Sequence, residues 1–388
     1  MGGWVARRSF GRKLGEVSMC GIVGLIDFRE RPDPSRVQRA VAALAHRGPD
    51  HQGLWSDGQA CLGHARLSVI DLDPRSHQPM VDADTGLVLV YNGEIYNFRE
   101  LRRDLETRGV RFRTEGDSEV LLSAYKVWGL DCLLRLRGMF AFAVWDPGSR
   151  TLVLARDRVG KKPLVFSRTS ERLVFASEIR ALIALGGVDR SLDFEALDLF
   201  LCQSYIPAPW TIYRGVRKLE PGCWALMRSG CWETGRYWDP DFRIKQNPDE
   251  AQVEDQARSE LERAVQERMI SDVPLGVMLS GGLDSALVAA LMARYSDRPV
   301  KSFTVGFDDP RYDEGNEARA TAEYLGLDHH ELRVESGREL GEVLPRVLGQ
   351  FGEPYGDDSA LPSYILSGMV RSEVTVVLNG DGGDELCG

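Results

Sequence analysis

Cys20 stands between Met19 and a short apolar run, Gly21-Ile22-Val23-Gly24. If Met19 is removed, the residue carries both a thiol and a free α-amine. The amine can take the thiol's proton, so nucleophile and base occupy one residue. A second constellation is Ser280-Gly281-Gly282-Leu283-Asp284-Ser285, set between a strand-like and a helix-like run. Its two glycines let the backbone approach an anion, and the helix start aims N–H groups and positive dipole at it. Ser280 and Ser285 add hydroxyl donors, and Asp284 can hold a metal ion that bridges phosphates. No Gly-Lys-Ser/Thr is present, so this is not a Walker loop. A third constellation, Asn379-Gly380-Asp381-Gly382-Gly383-Asp384-Glu385, suits Mg²⁺ and phosphate oxygens better than a plain solvated turn.

The elements around these residues follow from periodicity. From Cys20 to about Trp145 short strands alternate with two helices. Ile22 to Asp27 reads as a buried strand and Leu87 to Tyr91 as another, ending in a turn at Asn92-Gly93-Glu94. Asn97, with Glu100 three residues on, is expected to cap a helix through Leu101 and Leu105. A second helix starts at Asp117 and presents Val120, Leu121, Ala124 and Val127. Strands follow through Phe140–Val144, Leu152–Ala155 and Leu173–Ala176, which predicts a layered α+β domain over residues 20–205. Residues 206–249, rich in proline and aromatics, read as an ordered connector. From residue 250 to 388 helices and strands alternate. That pattern predicts a doubly wound, mainly parallel α/β sheet, with both glycine loops at the carboxyl edge where such sheets bind ligands. The opening helix is expected to be amphipathic through Val253, Ala257, Leu261 and Val265.

Composition narrows the function. Of 388 residues 43% are hydrophobic and 27% charged, an ordinary globular balance. A formal net charge of −10 disfavours a phosphate-bound partner, so nucleic acid is not expected. No apolar run reads as a membrane span; the closest, residues 275–292, carries Asp284 and a Gly-Gly pair. Seven scattered cysteines without a CxxC pair indicate a reducing compartment, hence a cytoplasmic location. Residues 1–19 carry Arg7, Arg8, Arg12 and Lys13 against Glu16, a balance of +3. They read as a leader or a mis-assigned start ahead of Met19. The chain stops at Gly388 inside a glycine-rich turn, so a truncated second domain is expected.

Further groups accompany Cys20: His46-Arg47-Gly48-Pro49-Asp50, His64-Ala65-Arg66-Leu67-Ser68, Asn92-Gly93-Glu94-Ile95-Tyr96-Asn97 and Gly116-Asp117. With these, the chain from Cys20 onward resembles glutamine-hydrolysing asparagine synthetases of the bacterial type. The resemblance implies a class II glutamine amidotransferase domain of the N-terminal-nucleophile (αββα) fold, followed by an ATP-pyrophosphatase synthetase domain. It implies Cys20 as the thiol nucleophile, Arg66 on the α-carboxylate of glutamine and Asp117 on its α-amine. Asn92 and the Gly93 N–H would form the oxyanion hole, with Glu94 lining the pocket. ATP contacts would fall on Leu279, Val305, Asn379 and Gly380, with Ser280, Gly281, Gly282, Asp284 and Ser285 on pyrophosphate. Mg²⁺ would sit on Asp284 and Asp384, and Asp381 matches a position associated with the acyl-adenylate. The segment Glu353-Pro354 through Asp357-Asp358-Ser359 either faces the acceptor pocket or caps a helix. Glutamine, aspartate and ATP are the implied substrates, and a homodimer the assembly to test. The expected reaction amidates aspartate through β-aspartyl-AMP, with ammonia from glutamine. Two alternatives stay open: another carboxylate as acceptor, or glutaminase activity alone. A phosphoribosyl or hexosamine amidotransferase is opposed by the Ser280–Ser285 loop.

Overall fold

A computed structural model describes residues 19–243, 249–307, 309, 311, 313–334 and 338–387. The leader expected at residues 1–19 lies outside these apart from Met19. The chain divides into two compact units, one made of residues 18–241 and 348–357, the other holding residues 242–347 and 358–388.

The first unit stacks two antiparallel six-stranded sheets. One sheet runs, edge to edge, Arg217–Lys218, Val165–Arg168, Arg172–Ala176, Gly21–Asp27, Ala60–Arg66 and His51–Ser56. The other runs Cys231–Arg236, Cys223–Arg228, Thr151–Arg156, Gly138–Asp146, Val88–Ile95 and Met80–Val81. Ile22, Ile26, Leu62 and Phe175 of the first sheet meet Val88, Val90, Ala143, Trp145 and Leu154 of the second in one buried core. The opposite face of the first sheet buries Val23, Leu25 and Cys61 against Val37, Val41, Ile179 and Leu182 of the helices Pro34–Ala42 and Ile179–Leu185. Burial on both faces is why these strands read as continuous apolar runs rather than alternating ones. With the helices Phe98–Thr107 and Asp117–Trp128 beside the second sheet, the unit is the expected αββα sandwich.

Three local expectations differ. Asn92-Gly93-Glu94 is no turn: it lies inside the strand Val88–Ile95, with Gly93 opposite Phe140. A Cβ on Gly93 would stand 2.1 Å from the Met139 carbonyl, so glycine is needed for the close strand approach rather than for a turn. Asn97 precedes its helix but does not cap it; its amide donates to Arg135 O at 3.0 Å and its Oδ1 accepts from Arg137 N at 2.9 Å. The expected connector, finally, contributes the strands Arg217–Lys218, Cys223–Arg228 and Cys231–Arg236 to the two sheets. Cys223–Arg228 buries every second residue against Thr151–Arg156, an alternation that the neighbouring prolines obscure.

The second unit carries a parallel four-stranded sheet in the order Asp328–Val334, Lys301–Phe307, Leu275–Met278, Val376–Leu378. Helices connect the strands, as the alternation predicts. The helix Glu250–Arg268 is less buried than expected: Val265 packs on the core, while Val253, Ala257 and Leu261 are exposed. Among the described residues no helix is long and apolar enough to cross a membrane.

Candidate active site

Cys20 immediately precedes the strand Gly21–Asp27, which the Ser177 hydroxyl pins by accepting from Ile22 N at 3.0 Å. Arg47 Nε donates to the Cys20 carbonyl at 2.9 Å, and its Nη1 donates to Glu178 at 2.8 Å. Arg180 ion-pairs with the same carboxylate, and His46 Nε2 lies 3.1 Å from it. The Leu67 N–H donates to Cys20 Sγ at 3.4 Å. Burial raises the thiol pKa, opposed by the Leu67 contact and then by the charges of Lys162, Arg66 and Arg47. A thiol so placed needs an adjacent base to become a nucleophile.

Of the residues implicated from sequence, Arg66 stands close enough for its charge to act on the thiol, and Asn92 and Glu94 lie on the strand Val88–Ile95, which packs against the strand that follows Cys20. Asn92 is almost wholly buried, and its Nδ2 has no hydrogen-bond partner among the described residues. Buried amide groups are rarely left unmatched, which marks this donor as a candidate contact for a ligand's acceptor. Arg47 Nη2 likewise has no hydrogen-bond partner among the described residues. Asp117 is buried and accepts from the Tyr91 hydroxyl at 2.8 Å and from Ile95 N at 2.9 Å. Burial raises its pKa against those bonds, and no cationic side chain pairs with it among the described residues. Arg66 donates to the backbone carbonyls of Asp71 and Asp73, which ties it to the turn beside the helix start at Asp117. Glu94 lies half-buried on the same strand as Asn92.

His64 is fully buried with Nε2 3.0 Å from the Tyr91 carbonyl, and burial pulls its pKa down to about 3. It is neutral at any working pH and orders the strand carrying Asn92. Reasoning from sequence missed Tyr91, which reads as one more apolar strand residue, and Lys162, which reads as a solvated loop charge. Neither carries a signal of periodicity or spacing.

In the second unit the two glycine loops meet. An ideal Cβ on Gly380 would lie 2.8 Å from Asp284 Cβ and 2.7 Å from Ser285 N. One on Gly383 would lie 2.3 Å from an Asp284 carboxylate oxygen. Glycine at both positions therefore lets the later loop close over Asp284, in the first turn of the helix Leu283–Tyr295. Ser280 and Ser285 bond to each other at 2.8 Å, and Gly281 N donates to Glu314 at 2.9 Å. With the Ser285 hydroxyl also within 3.2 Å of the Gly282 carbonyl, three donors expected to face phosphate are satisfied by the protein itself, and the Glu314 carboxylate stands where an anion is expected. Asn379 donates to Asp381, while Leu279 is buried, its carbonyl accepting from Thr304; Val305 follows on the neighbouring strand.

No group of three or more metal-binding side chains occurs among the described residues. Asp284 and the exposed Asp384, adjacent to Gly383, still fit Mg²⁺, which commonly takes one or two carboxylates and completes its shell with phosphate oxygens and water. Glu353 ion-pairs with Lys218 and accepts from Ile212 N at 3.2 Å within the first unit, while Ser359 stands at the start of the helix Ala360–Val370 without a side-chain capping bond.

Residues 19–238 match the glutamine amidotransferase domain family, and residues 256–388 the asparagine synthase family. A putative glutamine-hydrolysing asparagine synthetase of Mycobacterium tuberculosis is 40% identical over 91% of this chain and 56% of its own length. A counterpart in Methanocaldococcus jannaschii is 34% identical over 95% of this chain and 75% of its own. An amidase of Gibberella zeae is 32% identical over 90% and 54%. The chain thus spans little more than half the length of the mycobacterial relative it matches. With both family matches in this order, on an αββα sandwich followed by a parallel sheet bearing paired glycine loops, the chain belongs to the glutamine-hydrolysing asparagine synthetase family.

Proposed function

We propose that the protein hydrolyses glutamine at Cys20 and uses the ammonia to convert aspartate to asparagine through β-aspartyl-AMP, consuming ATP. The observation that carries the reading is the buried Asn92 amide, without a partner among the described residues, on a strand packed against the one that follows Cys20, a donor suited to an oxyanion. In the active form Cys20 is the first residue. Its amine takes the thiol proton, and Sγ attacks the amide carbon of glutamine. Asn92 Nδ2 and the Gly93 N–H hold the oxygen as it gains charge. Ammonia leaves with that proton, and water then cleaves the glutamyl thioester. Asp117, buried and without an ion-pair partner among the described residues, takes the α-ammonium of glutamine, and Arg66 its α-carboxylate.

In the second unit the loop residues Ser280, Gly281, Gly282 and Ser285 take the pyrophosphate of ATP once Glu314 withdraws from Gly281. Leu279, Val305, Asn379 and Gly380 hold the nucleotide. Mg²⁺ on Asp284 and Asp384 would neutralise charge gathering on phosphate. Asp381 borders the carboxylate being adenylated. A second reading, with a carboxylate other than aspartate as acceptor, is kept because the fungal relative is named an amidase and not an asparagine synthetase.

The test is product stoichiometry in the full-length protein with glutamine, ATP and Mg²⁺. With aspartate, AMP, pyrophosphate and asparagine are expected in equal amounts. Pyrophosphate release that needs a different carboxylate would replace the acceptor. Glutamate without pyrophosphate under every condition would leave a glutaminase.

A further inference from the structure

Lys162 lies in the loop between the strands Thr151–Arg156 and Val165–Arg168, yet it is only 6% exposed. The loop is folded inward by Asp157. That buried carboxylate accepts from Lys161 N at 2.9 Å, Lys162 N at 2.9 Å and Phe140 N at 3.1 Å. From the other side Arg156 Nε donates to the Lys162 carbonyl at 2.8 Å. The backbone is thus held at both its N–H and its carbonyl, and the ammonium is carried into the site. There Nζ donates to Met19 Sδ at 3.0 Å. A thioether is a weak acceptor, poor recompense for a buried ammonium. Removal of Met19 would take this partner away and bring the Cys20 amine into being beside it.

We propose that Lys162 is a positioning residue of the glutamine site, whose ammonium keeps the α-amine of a Cys20 freed from Met19 in its neutral, proton-accepting form. The proposal rests on the reading of Cys20 as an N-terminal nucleophile. A like charge nearby disfavours a protonated amine and favours a thiolate, so the pair titrates at lower pH. Lys162 acts on the Cys20 thiol ahead of Arg66 and Arg47. Lys162 itself faces Glu94, Arg47, Cys20 and Asp157, and burial brings its pKa down to about 8. The arginines keep their charge throughout, whereas Lys162 loses its own above about 8, so its influence is present at neutral pH and fades in base.

The experiment follows alkylation of Cys20 by iodoacetamide between pH 5 and 9, resolved by peptide mass, in the whole chain starting at Cys20. Wild type, Lys162→Met and Lys162→Arg are compared, with Lys162→Gln standing in if the methionine variant does not fold. The uncharged variants are expected to titrate roughly one pH unit higher, with alkylation below the midpoint about tenfold slower. Lys162→Arg is expected to stay at the wild-type midpoint. The exposed Cys202 and Cys231 should not change in any of them. An unshifted midpoint in the uncharged variants overturns the proposal. Glutaminase activity of the wild type is measured in parallel. Its absence would overturn the proposed function, while the midpoints still decide the role of Lys162.

Discussion

Cys20→Ala is expected to remove glutamine-dependent synthesis and leave ammonium-dependent synthesis close to wild type. The variant keeps the Arg47 anchor, because Arg47 binds the carbonyl of residue 20 and not its side chain. It also keeps the strand Gly21–Asp27 and its Ser177 bond, so the unit should fold. What disappears is the thiol proposed to attack the glutamine amide carbon. Deleting a nucleophile of this kind typically costs about four to six orders of magnitude, which here means background. The synthetase chemistry is assigned to residues of a separate unit, Ser280–Ser285 and Asn379–Asp384. Supplying ammonium chloride in place of glutamine should therefore restore asparagine formation. A folded variant that ammonium cannot rescue would mean that the two reactions are not divided as proposed.

Asp284→Asn is expected to produce the opposite pattern, with pyrophosphate release lost and glutamine hydrolysis kept. Asparagine preserves size and hydrogen bonding in the first turn of the helix Leu283–Tyr295, and Gly380 and Gly383 still pack against it. Only the negative charge goes, and with it the carboxylate that would hold Mg²⁺ in the proposed reaction. The loss should be several kcal/mol of transition-state stabilisation, on the order of a hundredfold or more in rate. Pyrophosphate release followed across a Mg²⁺ titration checks it. Near-native release at an unchanged Mg²⁺ requirement would leave Asp284 a helix-start residue and place the metal elsewhere.

Much of this site was legible because its chemistry is local in sequence. Cys20 before a buried strand, and serines with glycines between a strand and a helix, carry their meaning in adjacent residues. The sandwich and the parallel sheet were legible from runs of strands and from strand–helix alternation. What escaped depends on contacts between distant residues. Asn92-Gly93 has the composition of a turn, but Gly93 is glycine because the Met139 carbonyl lies against it. Asn97 has the spacing of a helix cap, yet Arg135 and Arg137 claim its amide. Lys162 looks like a surface charge until Asp157 folds its loop inward. Residues 223–236 read as connector because their partner strand, Thr151–Arg156, lies far back in the chain.

The central claim is that Cys20, bearing its own amine, is the glutamine-attacking thiol. A chloroketone analogue of glutamine tests it most directly, since it alkylates the nucleophile of any site that binds glutamine. Peptide mass mapping after labelling should find one adduct, on Cys20 as the first residue, suppressed by excess glutamine and matched mole for mole by loss of glutaminase. Labelling confined to another cysteine, such as the exposed Cys202 or Cys231, would contradict the account. So would full glutaminase activity in a chain whose Cys20 is still joined to Met19.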